Sequence, residues 1–392
     1  MPMRPATAIT QFIIFLSIFL ILYTSLHFYF YIKCVKSLRL FELHRLWFIL
    51  TLSLFLLSPI LLNLFQNYKT GFLGYSLSYL GYLWMAFIFL FFSIHICIDL
   101  FTGLVSFIGS RIHLSIFPIS RFAGNQPVFF STLFLIFVVL VYGHFEVRNI
   151  RIEKISLESD LIPQEIHKFR IVQISDIHFS IINKKELAEK IVRQINQLEP
   201  DLVVCTGDLI DRDLQDEEAV IARLNAVKAR YGKYAVTGNH EFYTGIEKAT
   251  AFTTQAGFKM IRNQVIPVTG WMNLIGVDDP AGRSFHPASY LREDELLKNI
   301  PSGKMNILLK HQPIVNPNSR DLFTLQLSGH IHKGQIFPFS LITALLYRYP
   351  SGYFELSPKS HLYVSRGTGT WGPPIRFLAP PEITVIEIVR KQ

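Results

Sequence analysis

The sequence predicts a multi-pass α-helical membrane region over residues 1–145, followed by an α/β domain over 146–392. Three observations carry that division. The first part holds four long apolar stretches free of charge, the second alternates short apolar runs with amphipathic patterns, and five clusters of Asp, His and Asn stand at or just after those runs.

The apolar stretches cover 5–32, 46–68, 70–98 and 122–145, each long enough to cross a hydrocarbon core of about 30 Å, and they are read as four transmembrane helices. A cleavable signal peptide cannot account for the last three, and the first has no small-residue cleavage site behind its apolar run. Orientation follows from the short loops, where Lys and Arg are retained on the cytoplasmic side. Lys33, Lys36, Arg39 and Arg45 fall in the first loop, Lys69 alone in the second, and Arg111 and Arg121 in a third region, 99–121, read as lying partly along the membrane surface. Placing the two richer loops inside puts the amino terminus and the α/β domain on the extracytoplasmic face of a plasma or inner membrane.

Residues 1–145 carry eight Lys and Arg against two Asp and Glu, and the remainder thirty against twenty-seven, so the basic excess is mainly topological. No nucleic-acid partner is expected, because that would require a basic stripe on the α/β domain. Cys34, Cys97 and Cys205 lie in or beside apolar runs, which argues against a disulfide framework or a thiolate zinc site. The membrane stretches hold almost no ionisable residues apart from His27, His95 and His144, which disfavours a transporter or channel.

In the second part, 146–158 reads as an extended exit segment. The runs at 169–174, 202–205, 234–236, 307–309 and 325–327 read as buried strands, with helical patterns at 184–198 and 217–230 between them. Asp176-Ile177-His178, Gly207-Asp208, Gly238-Asn239-His240-Glu241, His311 and Gly329-His330-Ile331-His332 follow these runs in order. Open α/β sheets place ligands at the carboxyl ends of their strands, where all five clusters fall. Two divalent ions about 3.5–4 Å apart need a mixture of carboxylate, imidazole and amide oxygen, and the clusters supply it. In extended backbone residues i and i+2 point the same way, so Asp176 and His178 are expected to reach one ion together, and so are His330 and His332. The glycines at 207, 238 and 329 are expected to let the backbone turn sharply beside the ions. Singly, each item has an ordinary reading: a Gly-Asp turn, an Asn helix cap, a satisfied core histidine. Their joint occurrence at strand ends favours a site.

These motifs, with Gly207-Asp208 extended to Asp211, resemble the signature of the calcineurin-like metallophosphoesterase superfamily. Within it they are most similar to the membrane-associated bacterial branch and the animal transmembrane protein with a metallophosphoesterase domain. The stretch Gly276–Asp279 and the closing segments at 364–369, 373–376 and 381–382 extend the resemblance over about 169–388. It implies a four-layer α/β/β/α sandwich and a site residue by residue. Asp176, His178 and His332 would bind the first ion, Asp208 would bridge both, and Asn239, His311 and His330 would complete the second. His240 would stay off the metals, near the leaving-group and phosphoryl oxygens, as the catalytic histidine, while Asp211 and Glu241 would orient ligands. The implied mechanism is in-line attack of a metal-bridging hydroxide on phosphorus, with manganese, iron or zinc as the two ions. Lys333 departs from the branch, where glycine is usual; it either sets a cation beside the phosphate or points into solvent, the latter slightly favoured.

One further segment stands out. Residues 336–354 form an apolar, aromatic insertion directly behind the last metal motif, suited either to the bilayer interface or a lipid tail, or to a core-packing hairpin over the site. Together with the membrane region it favours a phosphorylated membrane lipid as substrate, although the motifs fix the reaction class alone. The competing reading is a non-catalytic scaffold, whose sequence sign would be lost metal ligands, and none is lost.

Overall fold

The computed structural model describes residues 5–38, 42–65, 71–111, 126–212, 214–285 and 292–391. The chain divides at Phe145/Glu146 into two units. The first contains helices α1 (Pro5–Leu38), α2 (Glu42–Phe65), α3 (Gly71–Arg111) and α4 (Gln126–Glu146). All four are long and apolar enough to cross a membrane.

Two sequence expectations change here. The charge-free stretch ends at Ile98, yet α3 continues through Asp99 to Arg111; its 41 residues rise about 60 Å, twice a hydrocarbon core. The reason is that Asp99 is neutralised within the unit: Lys33 Nζ lies 2.5 Å from one carboxylate oxygen and Tyr29 donates to the other at 2.6 Å. Lys33 is therefore a helix residue with an inward partner and not a loop residue. Arg39, Lys69 and Arg121 lie outside the described residues. The histidines are absorbed locally: Trp84 Nε1 donates to His27 Nε2 at 2.9 Å, and His27 Nδ1 donates to the Tyr23 carbonyl at 2.8 Å. His95 differs: it is buried beside the Phe91 and Phe129 rings, with neither ring nitrogen hydrogen-bonded among the described residues.

The second unit is built on twelve strands and seven helices among the described residues. In chain order they are β1 (Arg151–Ser159), β2 (Lys168–Ile174), α5 (Lys185–Gln197), β3 (Leu202–Cys205), α6 (Glu217–Asn225), β4 (Lys233–Ala235), α7 (Asn239–Thr244), α8 (Ile246–Gln255), β5 (Lys259–Met260) and β6 (Gln264–Pro267). Then follow β7 (Met272–Gly276), α9 (Gly282–Phe285), α10 (Glu293–Lys298), β8 (Met305–Leu309), β9 (Leu325–Ser328), α11 (Phe339–Leu346), β10 (Gly352–Ser357), β11 (Ser360–Val364) and β12 (Glu382–Arg390). They form two six-stranded sheets of order β1-β12-β2-β3-β4-β5 and β10-β11-β9-β8-β7-β6. The stretch from β2 to β5 is parallel, as is the run β7-β8-β9-β11.

The two-residue period of the strands explains the layering. Phe169 and Ile171 of β2, Leu202 and Val204 of β3, Ile307 and Leu309 of β8, and Leu325 and Leu327 of β9 share one buried core between the sheets. Their alternate neighbours Val172, Ile174, Val203 and Cys205 pack with Ala188, Ile191 and Ile195 of α5 and with Val220 and Leu224 of α6. On the far face of the second sheet, Ile275 and Leu308 pack with Leu297 of α10. The result is the four-layer α/β/β/α order. Gln173 crosses between the sheets, its amide donating to Thr206 Oγ1 at 2.9 Å and to the Ser328 carbonyl at 3.0 Å. The helix expected over 217–230 stops at Asn225, because Ala226 and Val227 turn back on Arg223 and Leu224 and Val227 enters the core.

Candidate dimetal active site

The site grows from the carboxyl ends of β2, β3, β4, β8 and β9, so both sheets feed it. Its backbone is held in a sparsely populated region: Asp176, His178 and Asp208 each have φ 52°, His330 φ 74° and His332 φ 52°. Such residues cost of the order of 1–3 kcal/mol each and concentrate where function over-determines the geometry. The left-handed turns also overturn one expectation. His330 and His332 do not reach one ion together, because the chain between them is not extended. Instead Asp176, His178 and His332 bring ligand atoms into one group, Asp208, His311 and His330 into another, and His178, Asp208 and His240 into a third between them.

Of the three glycines expected to let the backbone turn sharply, Gly207 alone has a positive φ, at 95°. Gly238 and Gly329 serve close approach instead: a Cβ at Gly238 would strike the Asp208 carboxylate, and one at Gly329 the Asp176 carboxylate and Ser175 Oγ. Lys333 is half-buried with φ 51°, the physical reason a glycine suits that place.

Loops from opposite strands fix the two central carboxylates. His330 N donates to both Asp176 oxygens at 2.9 and 3.1 Å, and His240 N donates to Asp208 Oδ1 at 2.9 Å. Glu241 is fully buried and accepts from the amides of Asp208, Leu209 and Gly238 at 3.0, 2.8 and 2.6 Å, tying the second and third clusters together. Burial, with the Asp208 charge, holds the Glu241 carboxyl above its usual range. Burial likewise raises Asp176.

The imidazoles are set one by one. Asp211 Oδ1 accepts from His178 Nδ1 at 3.0 Å and from His240 Nδ1 at 2.7 Å, so one carboxylate orients both rings. Burial alone would lower the His240 pKa, but Asp208 and Asp211 reverse this and push it up to about 9. His311 Nδ1 donates to the Thr206 carbonyl at 2.7 Å, leaving Nε2 aimed at Asp208 Oδ2, 3.1 Å away. His330 presents Nδ1 inward, 3.1 Å from Asn239 Oδ1, while its Nε2 meets the Tyr347 hydroxyl at 2.9 Å. His332 has its Nδ1 3.1 Å from Arg376 Nη2; burial, His178 and Arg376 hold its pKa well below the ordinary value.

Donor chemistry fits two cations. His178 Nε2 faces His332 Nε2 at 3.1 Å, and His330 Nδ1 faces His311 Nε2 at 3.2 Å. The Nδ1 atoms of His178 and His311 already donate elsewhere, so their Nε2 lone pairs point at other ring nitrogens, an arrangement that a shared cation relieves.

This pattern of clusters matches a known family. A family model described as calcineurin-like phosphoesterase matches residues 169–334. An uncharacterized metallophosphoesterase of Aquifex aeolicus is 32% identical over 260 residues, which are 66% of this chain and 99% of that protein. The chain belongs to the calcineurin-like metallophosphoesterases. Two further members extend the likeness beyond the α/β unit or to animals. A Campylobacter jejuni metallophosphoesterase, also uncharacterized, is 29% identical over 397 residues, covering 97% of this chain and all of that one. The transmembrane protein with metallophosphoesterase domain of Danio rerio is 30% identical over 253 residues, 62% of this chain and 57% of its own length.

Within this metallophosphoesterase the structure adds residues that sequence reasoning did not single out for the site. The closing segment around Gly367–Gly369 wraps the first loop, with Thr368 N donating to the Ser175 carbonyl at 2.7 Å and Gly369 N to the Asp176 carbonyl at 3.1 Å. Arg376, fully buried, donates to the carbonyls of Gly369, Arg366 and Ala379 at 2.6, 2.7 and 3.1 Å. In the stretch Gly276–Asp279, Asp278 is gripped by Arg262, whose Nη2 lies at 2.8 Å, and accepts from Thr237 Oγ1 at 3.1 Å, bracing the chain just before Gly238. Around His240 stand Trp371, Tyr243 and Phe285: ring centroids lie 5.8 Å from His240 to Trp371, 5.4 Å from His240 to Tyr243, and 6.4 Å from Tyr243 to Phe285. All three of these outer rings are exposed. Only their aromatic character marked them, and aromatic residues are common elsewhere in this chain.

Proposed function

We propose that this chain is a membrane-anchored phosphoesterase that uses two divalent metal ions to hydrolyse a phosphodiester or phosphomonoester bond, with a phosphorylated membrane lipid as its substrate class. The carrying observation is that ligand atoms from five strand ends converge in three adjoining groups, Asp176 with His178 and His332, His178 with Asp208 and His240, and Asp208 with His311 and His330. In this reading Asp176, His178 and His332 hold one ion, Asn239, His311 and His330 the other, and Asp208 both. When bound, the ions lower the pKa of water and neutralise charge developing on the phosphoryl oxygens.

The chain's own residues position and transfer protons. Asp211 fixes His178 with Nε2 turned inward, and Glu241 fixes the backbone that carries Asp208 and Asn239. His240, held by Asp211 through Nδ1, retains Nε2 for the departing oxygen. As a hydroxide oxygen, whose proton has already passed to solvent, bonds to phosphorus and the ester P–O bond breaks, Nε2–H gives its proton to the leaving alkoxide. Anchoring is supported by four helices of membrane length and by the transmembrane relative. A lipid substrate is supported by the exposed aromatic rim around His240.

The test is hydrolysis of bis-p-nitrophenyl phosphate and p-nitrophenyl phosphate by the detergent-purified full chain with manganese, zinc, iron or EDTA. Metal-dependent turnover that Asp208→Asn abolishes and His240→Ala lowers by about 10²–10⁴-fold supports the reading. Absence of turnover on these and on lipid phosphoesters, despite bound metal, supports the scaffold reading instead.

A further inference from the structure

Helix α11 is built inside out. Of its eight residues, FSLITALL, only Thr343 is buried and Ser340 half-buried, while every apolar side chain is exposed; Leu345 is 87% exposed, Leu346 72% and Leu341 58%. A helix on a water-facing surface turns its hydroxyls out and its leucines in. Here the hydroxyl of Thr343 turns back onto the Ser340 carbonyl at 3.0 Å, and the leucines form an outer face.

The face has neighbours of the same kind. Gln335 fastens the 371–378 segment beside it, donating to the carbonyls of Trp371 and Pro373 at 3.0 Å each, and Phe337 N donates to the Phe377 carbonyl at 3.0 Å. That segment presents Trp371, 56% exposed, and Leu378, 54% exposed. No charged residue occurs between Lys333 and Arg348, so the apolar lip is bracketed by two cations. At its carboxyl end Tyr347 reaches into the site, hydroxyl to His330 Nε2.

We propose that this lip, α11 with Trp371 and Leu378, docks into the lipid headgroup and acyl boundary of a bilayer with anionic lipid. The inference rests on the membrane-anchored reading and deepens it. Three features select lipid as the occupant. The apolar residues form a wedge of aliphatic and aromatic side chains like those of interfacial segments; the charges that bracket α11 in sequence, Lys333 and Arg348, are complementary to anionic headgroups; and the chain carries its own bilayer-length helices, so a bilayer is the apolar phase always at high effective concentration. Through Tyr347 the docked lip leads a headgroup to the second metal group while the tail stays in lipid.

The experiment uses the full chain reconstituted into vesicles of phosphatidylcholine and phosphatidylglycerol. On a Cys97→Ser background, Leu345→Cys and, separately, Ser302→Cys are labelled with an environment-sensitive nitrobenzoxadiazole dye and exposed to doxyl-labelled lipid. Ser302 lies before β8, at the end opposite His311, and is exposed. The expected result is blue-shifted emission and strong quenching at 345 with neither at 302. Equal, water-like emission at both positions overturns the docking, as does disulfide cross-linking of Leu345→Cys between two chains, which would make a second copy the occupant. Introducing Asp208→Asn should leave the quenching unchanged, so quenching without any phosphoester turnover removes the proposed reaction and keeps the docking, whereas turnover without quenching does the reverse. A chain that never partitions into vesicles overturns the anchoring and the docking together.

Discussion

At the scale of single residues, Asp211 is the side chain on which two functions meet. It orients His178, a proposed ligand, and His240, the proposed proton donor, with one oxygen. Asp211→Asn leaves the shape but substitutes a weaker, neutral acceptor, and metal affinity is expected to fall by about 10–100-fold in chelator competition. His240→Ala should leave that affinity unchanged, which separates a catalytic histidine from a ligand. The residue identities of this site were legible in the sequence because each metal-binding type occurs beside a strand end. What was not legible was which histidine joins which group: extended alternation put His330 and His332 together, and left-handed φ values at both parted them. The segments holding Tyr347 and Arg376 were marked, but their contacts to His330 and His332 were not legible, since they span sequence separations of 17 and 44 residues that no local pattern encodes.

At the scale of elements, the strands were readable because their apolar runs are buried on both faces. Phe169 shows what that burial does. It is 1% exposed, lies between the two sheets and meets Tyr231 at a tilt and Trp271 edge-on, at ring distances of 5.4 and 5.2 Å. Phe169→Ala should destabilise the α/β unit by about 3–5 kcal/mol, read as a shifted denaturation midpoint with an unchanged slope. Element ends were less readable. The end of α3 was misplaced because a single Asp99 looked like a loop charge, and its neutralising partner, Lys33, lies on another helix. The insertion after the last motif divides: α11 turns an apolar face outward because Ser340 and Thr343 occupy its inner side, while Tyr347, Tyr349 and Phe354 behind it pack on the core and lead into the β10–β11 hairpin.

At the scale of the whole molecule, topology is the open expectation. We propose that the four helices cross the membrane with their flanking cations inside, which would put the α/β domain on the extracytoplasmic face. A Ser302→Cys variant on the Cys97→Ser background is then labelled by a membrane-impermeant maleimide in intact cells. Labelling only after lysis would invert the assignment. The central claim, that five clusters from two sheets make one site for two ions, is tested most directly by counting metal. Elemental analysis of the purified full chain, equilibrated with manganese or zinc and desalted, should find two ions per chain, and Asp208→Asn should lose at least one of them. Wild-type protein that retains no ion, or an Asp208→Asn variant that keeps both, would contradict it.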